Sequence, residues 1–112
     1  MVNNTKKMYR TNSKVRQWLI ENDFKDINFF PHTRFVKDLH FQGLDFDGLA
    51  SKGTTLVLFQ CKTNRKATKK MLEQYKMVSK RFGILCLWFN NIDRKGLYVN
   101  NQIKFTREVV DA

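Results

Sequence analysis

The chain has 112 residues, with 21 Lys and Arg against 10 Asp and Glu, a formal net charge of +11. This length predicts one domain with one modest core and excludes a large multi-substrate enzyme. Hydrophobic residues make up 42% of the chain, which argues against disorder, and no apolar run approaches the roughly 20 residues of a membrane-spanning helix.

The opening Met1-Val2-Asn3-Asn4-Thr5-Lys6-Lys7 has no apolar stretch behind it and does not read as a signal peptide. Residues 1 to 10 are polar and basic, and the expectation is a loose arm. A helix fits Ser13 to Asn22, with Val15, Trp18, Leu19 and Asn22 at helical spacing. Ile27 to Phe30 is short and strand-like, ended by Pro31. His32 to Gly43 mixes charge and aromatics without periodicity and reads as a loop or irregular strand. Leu44 to Ala50 reads as a strand, followed by a tight turn in Ser51-Lys52-Gly53-Thr54. Thr54 to Lys62 is a strong strand. A long helix spans Ala67 to Phe82, with an apolar stripe of Ala67, Met71, Tyr75, Val78 and Phe82 and Gly83 as its C-terminal cap. Ile84 to Phe89 is continuously apolar, as in a buried central strand. Leu97 to Asn100 and Gln102 to Phe105 form a last strand or short hairpin. The predicted order is α-β-β-β-α-β-β, an α/β domain over residues 1–112.

Cys61 and Cys86 lie within apolar strand-like runs and read as reduced core thiols of a cytoplasmic protein. No CxxC or His-rich spacing suggests zinc. The basic balance points to a polyanion, nucleic acid above all. It is concentrated in residues 62–81, where Lys62, Arg65, Lys66, Lys69, Lys70, Lys76, Lys80 and Arg81 face only Glu73, a net +7. Such a cluster would track phosphates.

The chemistry gathers just before that cluster. Strand alternation puts Leu56, Leu58, Gln60 and Lys62 on one face. A Lys52-Gly53 turn would set Asp45 opposite Gln60 and Asp47 opposite Leu58, diagonal to Gln60. Two carboxylates, an amide oxygen and an ammonium then converge. Hard oxygen donors of this kind suit magnesium or manganese, with the lysine beside them to neutralise charge developing on a phosphate. Taken singly, each aspartate reads instead as a solvated strand-edge residue, with Lys62 as ion-pair partner. Arg34, Lys37 and Arg65 are candidates for phosphate contact, as is Asn64 through hydrogen bonding. His32, His40, Asp38 and Gln74 read more readily as surface residues. Trp18 and Trp88 read as core, whereas Phe35 and Phe41 are loop aromatics open to base stacking.

Asp47, twelve intervening residues, then Gln60-Cys61-Lys62 after the apolar run Leu56-Val57-Leu58-Phe59 resembles the signature of the PD-(D/E)XK nucleases in its Gln-variant form. Within that superfamily the chain is most similar to the archaeal and phage Holliday-junction resolvases. The resemblance covers most of the chain and implies a restriction-endonuclease-like αβββαβ core, a central mixed sheet flanked by two helices. It implies an Mg2+-dependent (or Mn2+-dependent) endodeoxyribonuclease of archaeal, bacterial or viral source, without a small-molecule cofactor. Asp47, Gln60 and Lys62 would be catalytic. Asp47, Gln60 and the main-chain carbonyl of Cys61 would hold the metal, with Asp45 as an added or substitute ligand. Arg34, Lys37, Asn64, Arg65, Lys66, Lys69 and Lys70 would contact DNA, branched or four-way.

A homodimer would present two sites to two strands. Leu87, Phe89, Leu97, Val99 and Ile103 would supply either its interface or a monomer core. Gln60 is neutral where the family carries Glu, and the first helix reads Thr11-Asn12-Ser13-Lys14 where resolvases carry an acid. These departures define the alternatives: a non-catalytic nucleic-acid-binding module with the same fold, or another superfamily nuclease of repair, restriction or RNA processing.

Overall fold

The computed structural model describes residues 4–30 and 39–102, and side chains within 8–30 and 40–102. Arg34 and Lys37, with His32, Phe35, Asp38, Ile103 and Phe105, lie outside the described residues. The elements in chain order are α1 (Asn4–Glu21), β1 (Lys25–Phe29), β2 (Leu39–Phe41), β3 (Leu44–Phe46), β4 (Gly48–Lys52), β5 (Thr55–Thr63), α2 (Lys69–Phe82), β6 (Leu85–Ile92) and β7 (Gly96–Val99).

Five strands form one mixed sheet in the order β1-β4-β5-β6-β7, and β2 and β3 form a separate two-stranded ribbon. β5 and β6 pair in parallel across the α2 connection, and the other neighbours are antiparallel. The alternation of β5 divides the core into two layers. Val57 and Phe59 face α1, where they meet Val15, Leu19, Phe24, Leu87, Phe89 and Val99. Leu58 faces α2 and packs with Tyr75, Val78, Cys86 and Trp88, joined by Leu44 and Phe46. The chain is therefore α/β, a central sheet with one helix on each face. Leu87, Phe89 and Val99 are buried inside it, so they serve the monomer core rather than a dimer interface. Among the described residues no helix is long and apolar enough to cross a membrane.

Three local expectations change. First, α1 starts at Asn4, so the arm expected over residues 1 to 10 is helical from residue 4 onward. Its buried stripe runs Thr11, Val15, Leu19 at i, i+4, i+8. Thr11 is a polar member of that stripe, and its hydroxyl hydrogen-bonds the Thr63 hydroxyl at 2.6 Å. Hydropathy cannot register a helix face completed by a hydrogen bond. Second, residues 44–50 are two strands, not one. The chain bends at Asp47, and β3 leaves the main sheet to pair with β2. Third, the hairpin turns on Gly53-Thr54, with Lys52 opposite Thr55 and Gly48 opposite Phe59. Gly53 takes the left-handed φ of +60° that such a turn favours.

Helix α2 has Thr68 as its N-cap, with the side-chain oxygen accepting from the Met71 amide at 3.1 Å. It ends on Gly83 in the left-handed conformation, whose amide donates to Ser79. Its Phe82 is exposed and meets Phe41 edge-on rather than closing the buried stripe.

Candidate active site

The bend at Asp47 is held by main-chain hydrogen bonds on both sides. Its amide donates to the Phe59 carbonyl and its carbonyl accepts from Phe30, each at 2.8 Å. Gly48 makes this possible, because a Cβ there would sit 2.4 Å from the Phe59 ring and 2.5 Å from the Asn28 carbonyl. The buried Asp47 carboxylate reaches past Phe59 and Gln60, and its Oδ2 accepts the Cys61 amide at 2.8 Å. In a strand the N–H and C=O of one residue face the same edge. The Cys61 carbonyl is thus on the edge that Asp47 approaches.

Gln60 is 4% exposed, and its Oε1 is buried without a hydrogen-bond partner. Leaving a buried acceptor unsatisfied costs about 1–3 kcal/mol. Such an oxygen, on the residue preceding the amide that Asp47 holds, is a hard donor without a partner. Among the described residues no three His, Cys, Asp or Glu side chains cluster as metal ligands. A divalent ion here would instead rest on mixed donors: the Asp47 carboxylate, the Gln60 amide oxygen and the Cys61 carbonyl. These residues fit magnesium or manganese.

Lys62 lies two residues beyond Gln60 on the same strand face, half-buried. The ion-pair reading does not hold for Asp45, whose carboxylate pairs with His40 instead. Asp45 is carried off by the ribbon, where it faces His40 across β2 and β3 and pairs with its Nδ1. The expected register opposite Gln60 is therefore corrected, because β3 is not a continuation of β4.

The electrostatics follow from this crowding. Burial pushes the Cys61 thiol well above its usual pKa; the Asp47 charge adds to the effect and Lys62 opposes it. Burial likewise raises Tyr75 far above the phenol range, with contributions from Cys86, Asp47 and Cys61. Tyr75 is thus a neutral phenol within the electrostatic reach of the site, stacked among Phe46 and Trp88.

Beyond Lys62 the chain enters a loop that is unusually well tied. The Asn64 main-chain amide donates to the Asn91 carbonyl, the Asn64 side-chain amide donates to the Asp93 carboxylate, and Asn64 Oδ1 accepts the Asp93 main-chain amide, all at 2.9 Å. Asn90 Oδ1 accepts the Arg65 amide at 2.8 Å, and the Trp88 indole donates to the Arg65 carbonyl at 3.0 Å. Asn101 clasps both main-chain groups of Ala67. Arg65, Lys66, Lys69 and Lys70 project from this frame, all exposed.

Sequence reasoning missed two parts of this region. One is the asparagine frame of Asn90, Asn91 and Asn101. Its signal was the run of Asn after an apolar strand, since Asn tolerates the left-handed φ of +66° seen at Asn101. The other is a cleft of about 540 Å³ between α1 and the end of β5, lined by Met8, Thr11, Asn12, Cys61, Lys62, Thr63 and Asn64. No protein-family model matches the chain, and no curated protein and no solved structure matches it.

Proposed function

We propose that this chain is a metal-dependent DNA endonuclease of Holliday-junction-resolvase type, built on a restriction-endonuclease-like core. The succession α1-β1-β4-β5-α2-β6 follows the αβββαβ order of that core, with the β2–β3 ribbon as an insertion. The observations that carry the reading are the Asp47 carboxylate fixed on the Cys61 amide, the buried, unpartnered oxygen of the preceding residue Gln60, and Lys62 next on the face of Gln60. A magnesium or manganese ion held by Asp47, Gln60 and the Cys61 carbonyl would supply an activated water and charge neutralisation at a phosphodiester. The Lys62 ammonium orients the attacking water and offsets charge building on the phosphate oxygens. Arg65, Lys66, Lys69 and Lys70 hold the DNA backbone. A homodimer would present two such sites to paired strands.

The test is incubation with four-way junction, duplex, flap and single-stranded DNA, with and without magnesium or manganese. Paired symmetric cuts confined to the junction support the proposal. Cutting of the other substrates at equal rates would instead mark a nuclease of different specificity.

A second reading has its own support. The donor set contains one carboxylate, and α1 brings Thr11 and Asn12, not an acid, to the cleft beside Lys62. On this reading the chain binds nucleic acid without cutting it. Binding would then fall steeply with salt, and no divalent ion would elicit cleavage.

A further inference from the structure

Strands β5 and β6 run parallel and end side by side, with Thr63 opposite Asn91. The buried Thr11–Thr63 bond sets the N-terminal half of α1 against this same end. That half is basic: Lys6, Lys7, Arg10, Lys14 and Arg16 precede the first acid of the helix, Glu21. Glu21, Asp23 and Asp26 lie at the other end, where α1 runs into β1 and Asp26 accepts the Ser51 hydroxyl near the hairpin turn. Cations toward the N-terminus and acid toward the C-terminus reverse what the helix dipole favours. Helix stability therefore does not explain the arrangement.

Asn91 joins the α1 cations to the basic loop. Its Oδ1 accepts the Lys14 ammonium at 3.2 Å, and its carbonyl accepts the Asn64 amide at 2.9 Å. The amide oxygen is neutral and takes one of three ammonium donors, so this bond leaves the Lys14 charge in place. Arg10 is exposed one turn earlier on the same flank as Lys14. The Asn64–Asp93 pair then links the loop to the β6–β7 turn, which presents Arg94 and Lys95, both exposed. Lys14 on one face of the sheet and Arg65 on the loop leading to the other face are thus held around one residue. Such a spread of cations suits an extended polyanion better than a single phosphate group. The apolar stripes of both helices face the core, so neither is free to enter a lipid surface, and nucleic acid is the favoured partner.

We propose that a nucleic-acid backbone crosses this end of the sheet, from Arg65 over Arg94 and Lys95 of the β6–β7 turn to Arg10 and Lys14 of α1. The proposal rests on the nucleic-acid contact given to Arg65 above, and not on cleavage. Its consequence is a grip from both faces of the sheet, where the α2 track alone would hold the backbone from one.

The test measures Kd against salt concentration for duplex and four-way-junction DNA in chelator-containing buffer. Three double variants each remove two positive charges: Arg10→Gln with Lys14→Gln, Arg94→Gln with Lys95→Gln, and, at the acidic end, Lys25→Gln with Lys52→Gln. Each lost phosphate contact lowers the slope of log Kd against log salt by about 1. The first two variants should therefore lose about 2 in slope and bind roughly tenfold more weakly at physiological salt, and the third should keep the wild-type slope. Arg10→Lys with Lys14→Arg, which keeps the charges, should restore binding. An unchanged slope in either of the first two variants overturns the proposal, as does an equal loss in the third, which would mean that only net charge is felt. Binding of wild type to phosphatidylserine vesicles but not to DNA also overturns it. Slope losses as expected without cleavage by wild type refute the nuclease reading alone, and cleavage with unchanged slopes refutes this surface alone.

Discussion

Gly48→Ala probes the joint that holds the candidate site. The added Cβ would lie 2.4 Å from Phe59 Cζ and 2.5 Å from the Asn28 carbonyl oxygen, where ordinary contact needs about 3.5 Å or more. The Phe59 ring cannot turn aside, because it is fully buried and packed edge-on against Phe29 and Phe89. The Asn28 carbonyl belongs to β1, so relief requires β1 and β4 to separate by about 1 Å. Overpacking of this kind costs about 1–3 kcal/mol, and loss of a neighbouring ladder bond adds about 1. We expect a loss of about 3 kcal/mol, a fall in Tm of about 15 °C for a domain of this size. Gly83→Ala provides the contrast. Nothing lies within 4 Å of its added Cβ, but its φ of +67° is strained for alanine, so the loss is about 1 kcal/mol. Urea and thermal unfolding of both variants measure the difference. Equal losses at the two positions, or a wild-type Tm for Gly48→Ala, would refute the steric account of the Asp47 bend.

Asp47→Asn keeps an acceptor for the Cys61 amide and removes the charge. With Lys62→Ala it should abolish cleavage while leaving DNA affinity within about threefold of wild type, read by gel shift. Full cleavage by either variant defeats the site assignment. Thr68→Ala removes the α2 N-cap and should cost about 1 kcal/mol in urea unfolding, with Thr68→Ser restoring it. Burial raises the Cys86 thiol to about 11, only partly offset by its hydrogen bond with Ser79. Above pH 9 the unfolded chain therefore loses a proton that the folded chain keeps. Cys86 alone should lower stability by up to about 3 kcal/mol between pH 9 and pH 11; Cys61 and Tyr75, also raised by burial, add to the decline, so Cys86→Ala should make the slope shallower without removing it. A wild-type slope in the variant would show that the thiol is not responsible.

The parts of the fold legible in the sequence are those in which periodicity and local chemistry agree. The apolar runs 55–59 and 85–89, the amphipathic α2 and its Gly83 stop all carry their own signals. The hairpin register does not. Ser51, Lys52, Gly53 and Thr54 are all turn-compatible, and only the left-handed φ of Gly53 and the packing of Phe59 on Gly48 select the Gly53-Thr54 turn. Periodicity likewise runs Asp45 and Asp47 together, because it has no term for the bend between Phe46 and Gly48. Asp47, Gln60 and Lys62 can be grouped from sequence because they sit on or beside one regular strand. The N-terminal turns of α1 were missed because Thr11 is buried through hydrogen bonding, with Thr63 and Asn91, rather than through hydrophobicity.

The asparagine frame around residues 64–68 changes how the basic face would meet a polyanion. Main-chain ordering costs about 1–2 kcal/mol per residue, and here it is met when the chain folds, not when a ligand arrives. Only the side chains of Arg65, Lys66, Lys69 and Lys70 remain to be immobilised on contact. Association would then resemble docking onto a rigid template. The encounter rate would be set by long-range attraction and would fall with ionic strength, and the heat-capacity change would be smaller than for a loop that folds as it binds.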